Sequence, residues 1–162
     1  MKEKILNDIR LLDKEYQKKV KALLELCRLQ LLDTGLFETL RMSPRQKELY
    51  AIGRTIRVNE KPVTRTMNSY HLTWKAVDII FYNKWKITRE WDYATLTKLA
   101  WYCWMTWIFN KQWARMERCH FQDDWRSIAK VIEDNSTKRK SIALAKTKDI
   151  LHSANNLLRK YK

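Results

Sequence analysis

Two glycines, Gly35 and Gly53, serve the whole chain of 162 residues. Loops that cradle phosphate in P-loop and dinucleotide-binding folds need several glycines at fixed spacing, because the backbone itself must approach the phosphate. Neither pattern can be written with these two positions, so nucleotide chemistry of those kinds is excluded. The rest of the composition is that of a folded chain: 45% hydrophobic and 12% aromatic, with eight Trp. The length suits one domain with a real core and is too short for two full ones.

The longest apolar stretch, Leu99 to Phe109, is eleven residues broken by Thr106. A membrane-spanning helix needs about 20 residues, so none is expected. The N-terminus carries Lys2, Glu3, Lys4 and Asp8 without an apolar segment and does not read as a secretory signal. Cys27, Cys103 and Cys119 lie in unrelated contexts, which predicts reduced thiols and synthesis in a reducing compartment. The net charge of +15 points to a polyanionic partner: nucleic acid, anionic lipid or a phosphate-bearing cell wall. Charge alone does not choose among them.

Apolar residues at spacings of three and four (Ile5, Ile9, Leu12, Tyr16, Val20, Leu23, Cys27) predict one amphipathic helix over residues 3–32, broken at Gly35. A short strand is expected over Leu36–Leu40. Ser43-Pro44-Arg45-Gln46 reads as a capped helix start, with Gly53 at the far end. Residues 54–70 read as a loop. Ala76–Tyr82 reads as a strand that turns at Asn83-Lys84 into Trp85-Lys86-Ile87. Asp92 is placed to cap a helix bearing Leu96, Leu99, Ala100 and Cys103, with Trp101 and Trp104 expected in its core. Short strands are expected at Trp107–Phe109 and Cys119–Gln122, a helix from Trp125 to Ile132, and a last helix carrying Ile150 to Tyr161. The expected class is α+β, a small antiparallel sheet with packed helices.

Three histidines make each placement informative. His71 closes the central loop, and seven residues later Asp78 interrupts an apolar strand. A carboxylate there either faces solvent or, if buried, must be paired or bound to a cation, because desolvating it costs several kcal/mol. His120 follows Glu117 by three residues. His71, Asp78 and His120 form a complete three-ligand set for a catalytic zinc with an open fourth position, and Glu117 is near enough in sequence to act as general base. His152, among Lys, Ser and Asn, reads as a surface residue.

Ser69-Tyr70-His71-Leu72-Thr73-Trp74-Lys75-Ala76-Val77-Asp78 resembles the Ser-x-His-x-x-Gly-x-Ala-x-Asp motif of zinc peptidases of the M15 family. That family includes the VanY-type D-alanyl-D-alanine carboxypeptidases and phage L-alanyl-D-glutamate endolysins. Arg41, Gln46, Leu49-Tyr50 and Gly53-Arg54-Thr55 are similar to its Arg-x4-Gln-x2-Leu-Tyr-x2-Gly-Arg-Thr segment. Val63-Thr64 and Glu117-Arg118-Cys119-His120-Phe121 resemble the segments before the first ligand and around the third. The resemblance spans roughly residues 20–123, with four motifs in the family's order.

The resemblance implies the M15/hedgehog-like peptidase fold over 1–124, with 125–162 as a basic helical extension packed on it or tethered to it. It implies one zinc ion held by His71, Asp78 and His120, with Glu117 as catalytic base. Arg41 is implied to stabilise the oxyanion and contact substrate, an effect typically worth about 3 kcal/mol, and Ser69 to contact substrate. The implied substrate is a peptidoglycan stem peptide cut beside a D-residue. Lacking an export signal, such a chain is expected to be a phage or prophage endolysin, made in the cytoplasm and released to the wall by a holin.

Two positions depart from the family pattern. Trp74 replaces its Gly, and would reshape or block the cleft if that position lies under substrate or needs a glycine backbone. Cys119 stands where a Pro is common, beside His120. The competing reading is a non-enzymatic, basic, Trp-rich module (Trp101, Trp104, Trp107, Trp113) that binds wall polymer or nucleic acid. The zinc-site motifs disfavour nucleic acid and make the anionic envelope the better polyanion. From Trp125 onward ten basic residues face three acidic ones, including Lys138-Arg139-Lys140 and Arg159-Lys160-Lys162, and these are expected to meet anionic envelope polymers or lipids. Self-association through the C-terminal helices is a further expectation.

Overall fold

The computed structural model describes residues 4–84, 86–88, 92–107, 119–124, 133 and 145–161. Asp13 sets the start of the first helix, α1 (Lys14–Leu29), by accepting from the backbone N–H groups of Glu15 and Tyr16 at 3.1 and 3.2 Å. The helix expected over 3–32 is therefore shorter, because Asp8 caps a separate 3-10 turn at Ile9–Leu11 and Leu12 is extended between the two. At the other end Leu31, with φ 57°, turns the chain. Gly35 does not break the helix; it lies inside strand β1 (Thr34–Glu38). A Cβ there would sit 2.5 Å from Cε2 of Tyr82, so this glycine admits a neighbouring ring.

Helix α2 (Ser43–Ala51) begins where Pro44 suits its first turn, but Met42, not Ser43, holds the cap position and its side chain caps nothing. Gly53, at φ 73°, follows the helix as expected. The loop after it ends in a 3-10 turn at Tyr70–Thr73. Strands β2 (Ala76–Asn83) and β3 (Lys86–Thr88) form the expected hairpin. Helix α3 (Tyr93–Tyr102) is capped by Asp92, whose carboxylate accepts from the Thr95 N–H at 2.9 Å. Strands β4 (Met105–Trp107) and β5 (His120–Asp123) and helix α4 (Ala145–Lys160) follow.

All strand pairs are antiparallel, in the order β1-β2-β5-β4, with β3 also on β2. Side chains alternate across a sheet. Val77, Ile79 and Phe81 of β2, with Phe121 of β5, enter one core with Tyr16, Val20 and Leu23 of α1, Leu96 and Leu99 of α3, and Leu151, Ala154 and Leu158 of α4. The opposite face of the same strands carries Asp78 and His120, which are register partners. An α+β fold results, as the pattern predicts.

Trp101 is not a core residue, being 46% exposed, whereas Trp104, two residues past the end of α3 at Tyr102, packs partly buried against the core. Trp104 leaves the helix at φ 53° and stacks on Trp101 with ring centroids 6.2 Å apart. The expected helix at Trp125–Ile132, most of the strand at Trp107–Phe109, and Trp113, Glu117 and Lys138-Arg139-Lys140 lie outside the described residues. Among the described residues, no helix is long and apolar enough to cross a membrane.

Candidate metal centre

Three elements converge on one point of the sheet's polar face. His71 sits in the 3-10 turn, where Ser69 Oγ accepts from its backbone N–H at 3.3 Å, and its ring is fully buried. Asp78 is on β2 and His120 directly opposite on β5. Nε2 of His71 and Nδ1 of His120 lie 3.3 and 3.2 Å from Oδ1 of Asp78, and 3.1 Å from each other. Donor atoms about 2.0–2.1 Å from a tetrahedral zinc stand about 3.4 Å apart. The three atoms are therefore spaced as the edges of one coordination polyhedron, and the residues fit the metal that the sequence implies.

The surroundings prepare these atoms as ligands. Nδ1 of His71 lies 2.7 Å from the Thr39 carbonyl, which can only accept, so Nδ1 carries a proton and Nε2 is the ring atom turned toward Asp78. Burial opposes the charge of Asp78, but the His71 and His120 rings beside it outweigh that and hold its carboxyl well below the usual carboxylate range. Cys119 also borders the site. Burial, with the Asp78 charge adding to it, pushes its thiol up, which keeps it protonated and a poor ligand.

Arg41 follows β1, and its guanidinium is mostly engaged by protein acceptors. Nε and Nη2 donate to Oε2 of Glu38 at 3.0 and 2.5 Å, Nη1 to Oε1 of Gln46 at 2.9 Å, and Nη2 reaches Oδ2 of Asp78 at 3.4 Å. Gln46, expected to close a capping box, instead accepts from Arg41 at Oε1 and donates from Nε2 to the Thr66 carbonyl at 2.6 Å. A bulge between Leu36 and Glu38 explains why Glu38 faces this site. It sets Glu38 opposite Asp78, where an unbroken ladder would have put Phe37. Sequence reasoning gave Glu38 and Arg45 no role; the one available signal was their closeness to Arg41.

A cleft of about 490 Å³ opens beside these residues, bordered by Arg41, Ser69, Asp78 and His120 among others. Trp74 is not among its lining residues. Its backbone does adopt the left-handed conformation of a glycine, φ 60°, yet the residue is 52% exposed and does not obstruct the cleft. His152 is exposed on α4, with Nε2 3.0 Å from Nδ2 of Asn156. Glu117 lies outside the described residues, so its expected role is not placed by this geometry.

The second support of the site lies behind the sheet. Tyr16 Oη of α1 donates to the Phe121 carbonyl at 2.9 Å, and burial holds its phenol well above the usual range. Lys19, 1% exposed, reaches Asp123 Oδ1 at 2.7 Å and Asp124 Oδ1 at 3.2 Å. Both contacts pin α1 to β5, the strand that carries His120.

No family model matches the chain, and no curated protein matches it. Among solved structures it is similar to the Serratia marcescens L-Ala D-Glu endopeptidase ChiX, at 23% sequence identity and a TM-score of 0.54. The likeness covers 73% of this chain and 84% of that one, and at this identity it shows a shared fold.

Proposed function

We propose that the chain is a zinc-dependent peptidoglycan peptidase that cuts a stem-peptide bond beside a D-residue. The observation that carries this reading is the convergence of His71, Asp78 and His120, whose ligand atoms lie within 4.8 Å of one another at the edge of an open cleft. The fold shared with an L-Ala D-Glu endopeptidase supports the same reaction class. Bound at these residues, zinc supplies Lewis acidity for the scissile carbonyl and an acidified water.

The chain's own groups do the rest. Asp78 and the two imidazoles would hold the metal. Glu117, three residues before His120, is assigned to take the water proton and pass it to the leaving amine. Arg41 steadies Asp78, and the fifth of its N–H groups, on Nη1, is left for a substrate oxygen. Ser69 fixes the turn that presents His71. The basic C-terminal region, of which Arg159 and Lys160 are exposed on α4, is assigned to hold the protein near anionic envelope polymers or lipid headgroups. The setting that fits these properties is a phage endolysin acting at the wall after holin release.

Elemental analysis of the purified chain is expected to find about one zinc per molecule. Intact sacculi are expected to release stem-peptide fragments, and mass spectrometry of those fragments identifies the bond. Glu117→Ala is expected to keep the metal and lose activity, whereas His120→Ala loses both. Metal-free protein, or a fully active Glu117→Ala variant, overturns the assignment. In the competing reading, a basic, Trp-rich module that only binds polymer, Trp74 disables the site, yet Trp74 does not line the cleft. Salt-sensitive polymer binding without zinc or hydrolysis would restore that reading.

A further inference from the structure

Arg45 stands in the first turn of α2, outside the residues that carry the family resemblance, and its side chain is about nine-tenths buried in the wall of the cleft. Only Nε is engaged: it donates to Oε1 of Glu38 at 2.5 Å. Glu38 is thus shared, Oε1 to Arg45 and Oε2 to Arg41, and it fixes both guanidinium planes. The difference between the two arginines is what remains. Arg41 has spent most of its donors on Glu38, Gln46 and Asp78, whereas Nη1 and Nη2 of Arg45 have no acceptor among the described residues. Those two nitrogens are also absent from the sealed, unsatisfied atoms of the interior, so the cleft reaches them. A desolvated guanidinium with a free bidentate edge is complementary to a carboxylate.

Gln122, on the same face of the sheet, adds an independent observation. Gln122 borders the cleft, and its buried Oε1 has no donor among the described residues. An unmet acceptor and an unmet cation in one cleft match a peptide that brings an amide N–H together with a free carboxylate.

We propose that Arg45 is the specificity-determining residue of the cleft and binds a free carboxylate of the substrate next to the scissile bond. The inference rests on the peptidase reading above. Two sources present that group: the unlinked carboxylate of a glutamate inside the peptide, and the C-terminal carboxylate of a terminal D-residue. The first makes the protein an endopeptidase, the second a carboxypeptidase.

The test uses the full-length, zinc-loaded chain and two matched pairs of synthetic peptides. One pair contains an L-Ala–D-Glu bond with the unlinked carboxylate of the D-Glu free or converted to a carboxamide. The other ends in D-Ala-D-Ala with the terminus free or amidated. In the pair that is cleaved, kcat/KM is expected to favour the carboxylate by about 10- to 100-fold, and calorimetric binding of the corresponding product to show the same preference. Arg45→Gln is expected to collapse that ratio toward one, mainly through KM, and Arg45→Lys to restore part of it. Zinc content and melting temperature of each variant show whether the fold survives, and the ratio is internal to each variant. Equal cleavage of carboxylate and carboxamide by the parent chain, or an undiminished ratio in Arg45→Gln, overturns the role of Arg45 alone. Cleavage of no peptide in either pair overturns the peptidase reading and this inference with it.

Discussion

Trp74 holds a left-handed backbone, φ 60°, that costs an L-residue about 1–2 kcal/mol and a glycine almost nothing. The carbonyl of the same residue accepts from the Asp13 N–H at 2.9 Å, tying the turn after His71 to the start of α1. Replacing it by glycine relieves the strain, but a freer unfolded chain and the lost half-buried ring offset the gain. Trp74→Gly is therefore expected to change stability by less than about 1 kcal/mol, read by urea denaturation. Because Trp74 does not line the cleft, kcat/KM on the cleaved peptide is expected to move less than about threefold, well under the 1.4 kcal/mol of a tenfold change. A tenfold gain in activity would show that the ring intrudes on substrate after all. The left-handed backbone position after His71 is thus held here by a strained tryptophan.

What an element reveals in sequence depends on whether its pattern is local. The apolar strand around Asp78 and the capped helix after Asp92 could be read directly, because alternation and capping act over a few residues. Residue type alone suggests His71, Asp78 and His120 as a ligand set, but only the motifs tie them together in sequence, since the pairing of β2 with β5 that joins them is long-range. Glu38 was invisible because a bulge, which no local pattern announces, turns it onto the site face. Lys19 was invisible for a related reason: on an amphipathic helix a lysine reads as solvent-facing, yet here it is buried against Asp123 and Asp124. Removing it leaves the Asp123 carboxylate facing the interior without its Lys19 cation. Lys19→Ala is expected to cost about 3–5 kcal/mol in chemical denaturation. It is also expected to weaken zinc binding, because β5 loses the brace that aligns His120. An unchanged unfolding midpoint would mean that the contact contributes nothing to that brace.

At the scale of the whole molecule, the C-terminal residues change character once α4 is seen in place. Their surplus of positive charge suggested an appendage for anionic surfaces, and their apolar residues suggested a surface for self-association. The structure spends the apolar residues internally: Leu151, Ala154 and Leu158 are fully buried in the core that backs the sheet, and Lys21 of α1 lies over the Tyr161 ring at 5.8 Å. Burying the two leucines alone is worth about 3–6 kcal/mol, against a total stability of about 5–15 kcal/mol for an ordinary domain. A chain ending at Asp124 would keep every expected catalytic residue and still expose the backs of α1 and α3 to water. It is expected to lose its cooperative melting transition, to bind a hydrophobic dye, and to release zinc, as followed by circular dichroism, fluorescence and elemental analysis. If that truncated chain instead melts at the temperature of the full chain and retains its metal, α4 is an accessory to a core that stands without it. The division of labour within the last helix then follows from its two faces. The buried face completes the core behind the sheet, while Arg159 and Lys160 stand exposed on the other.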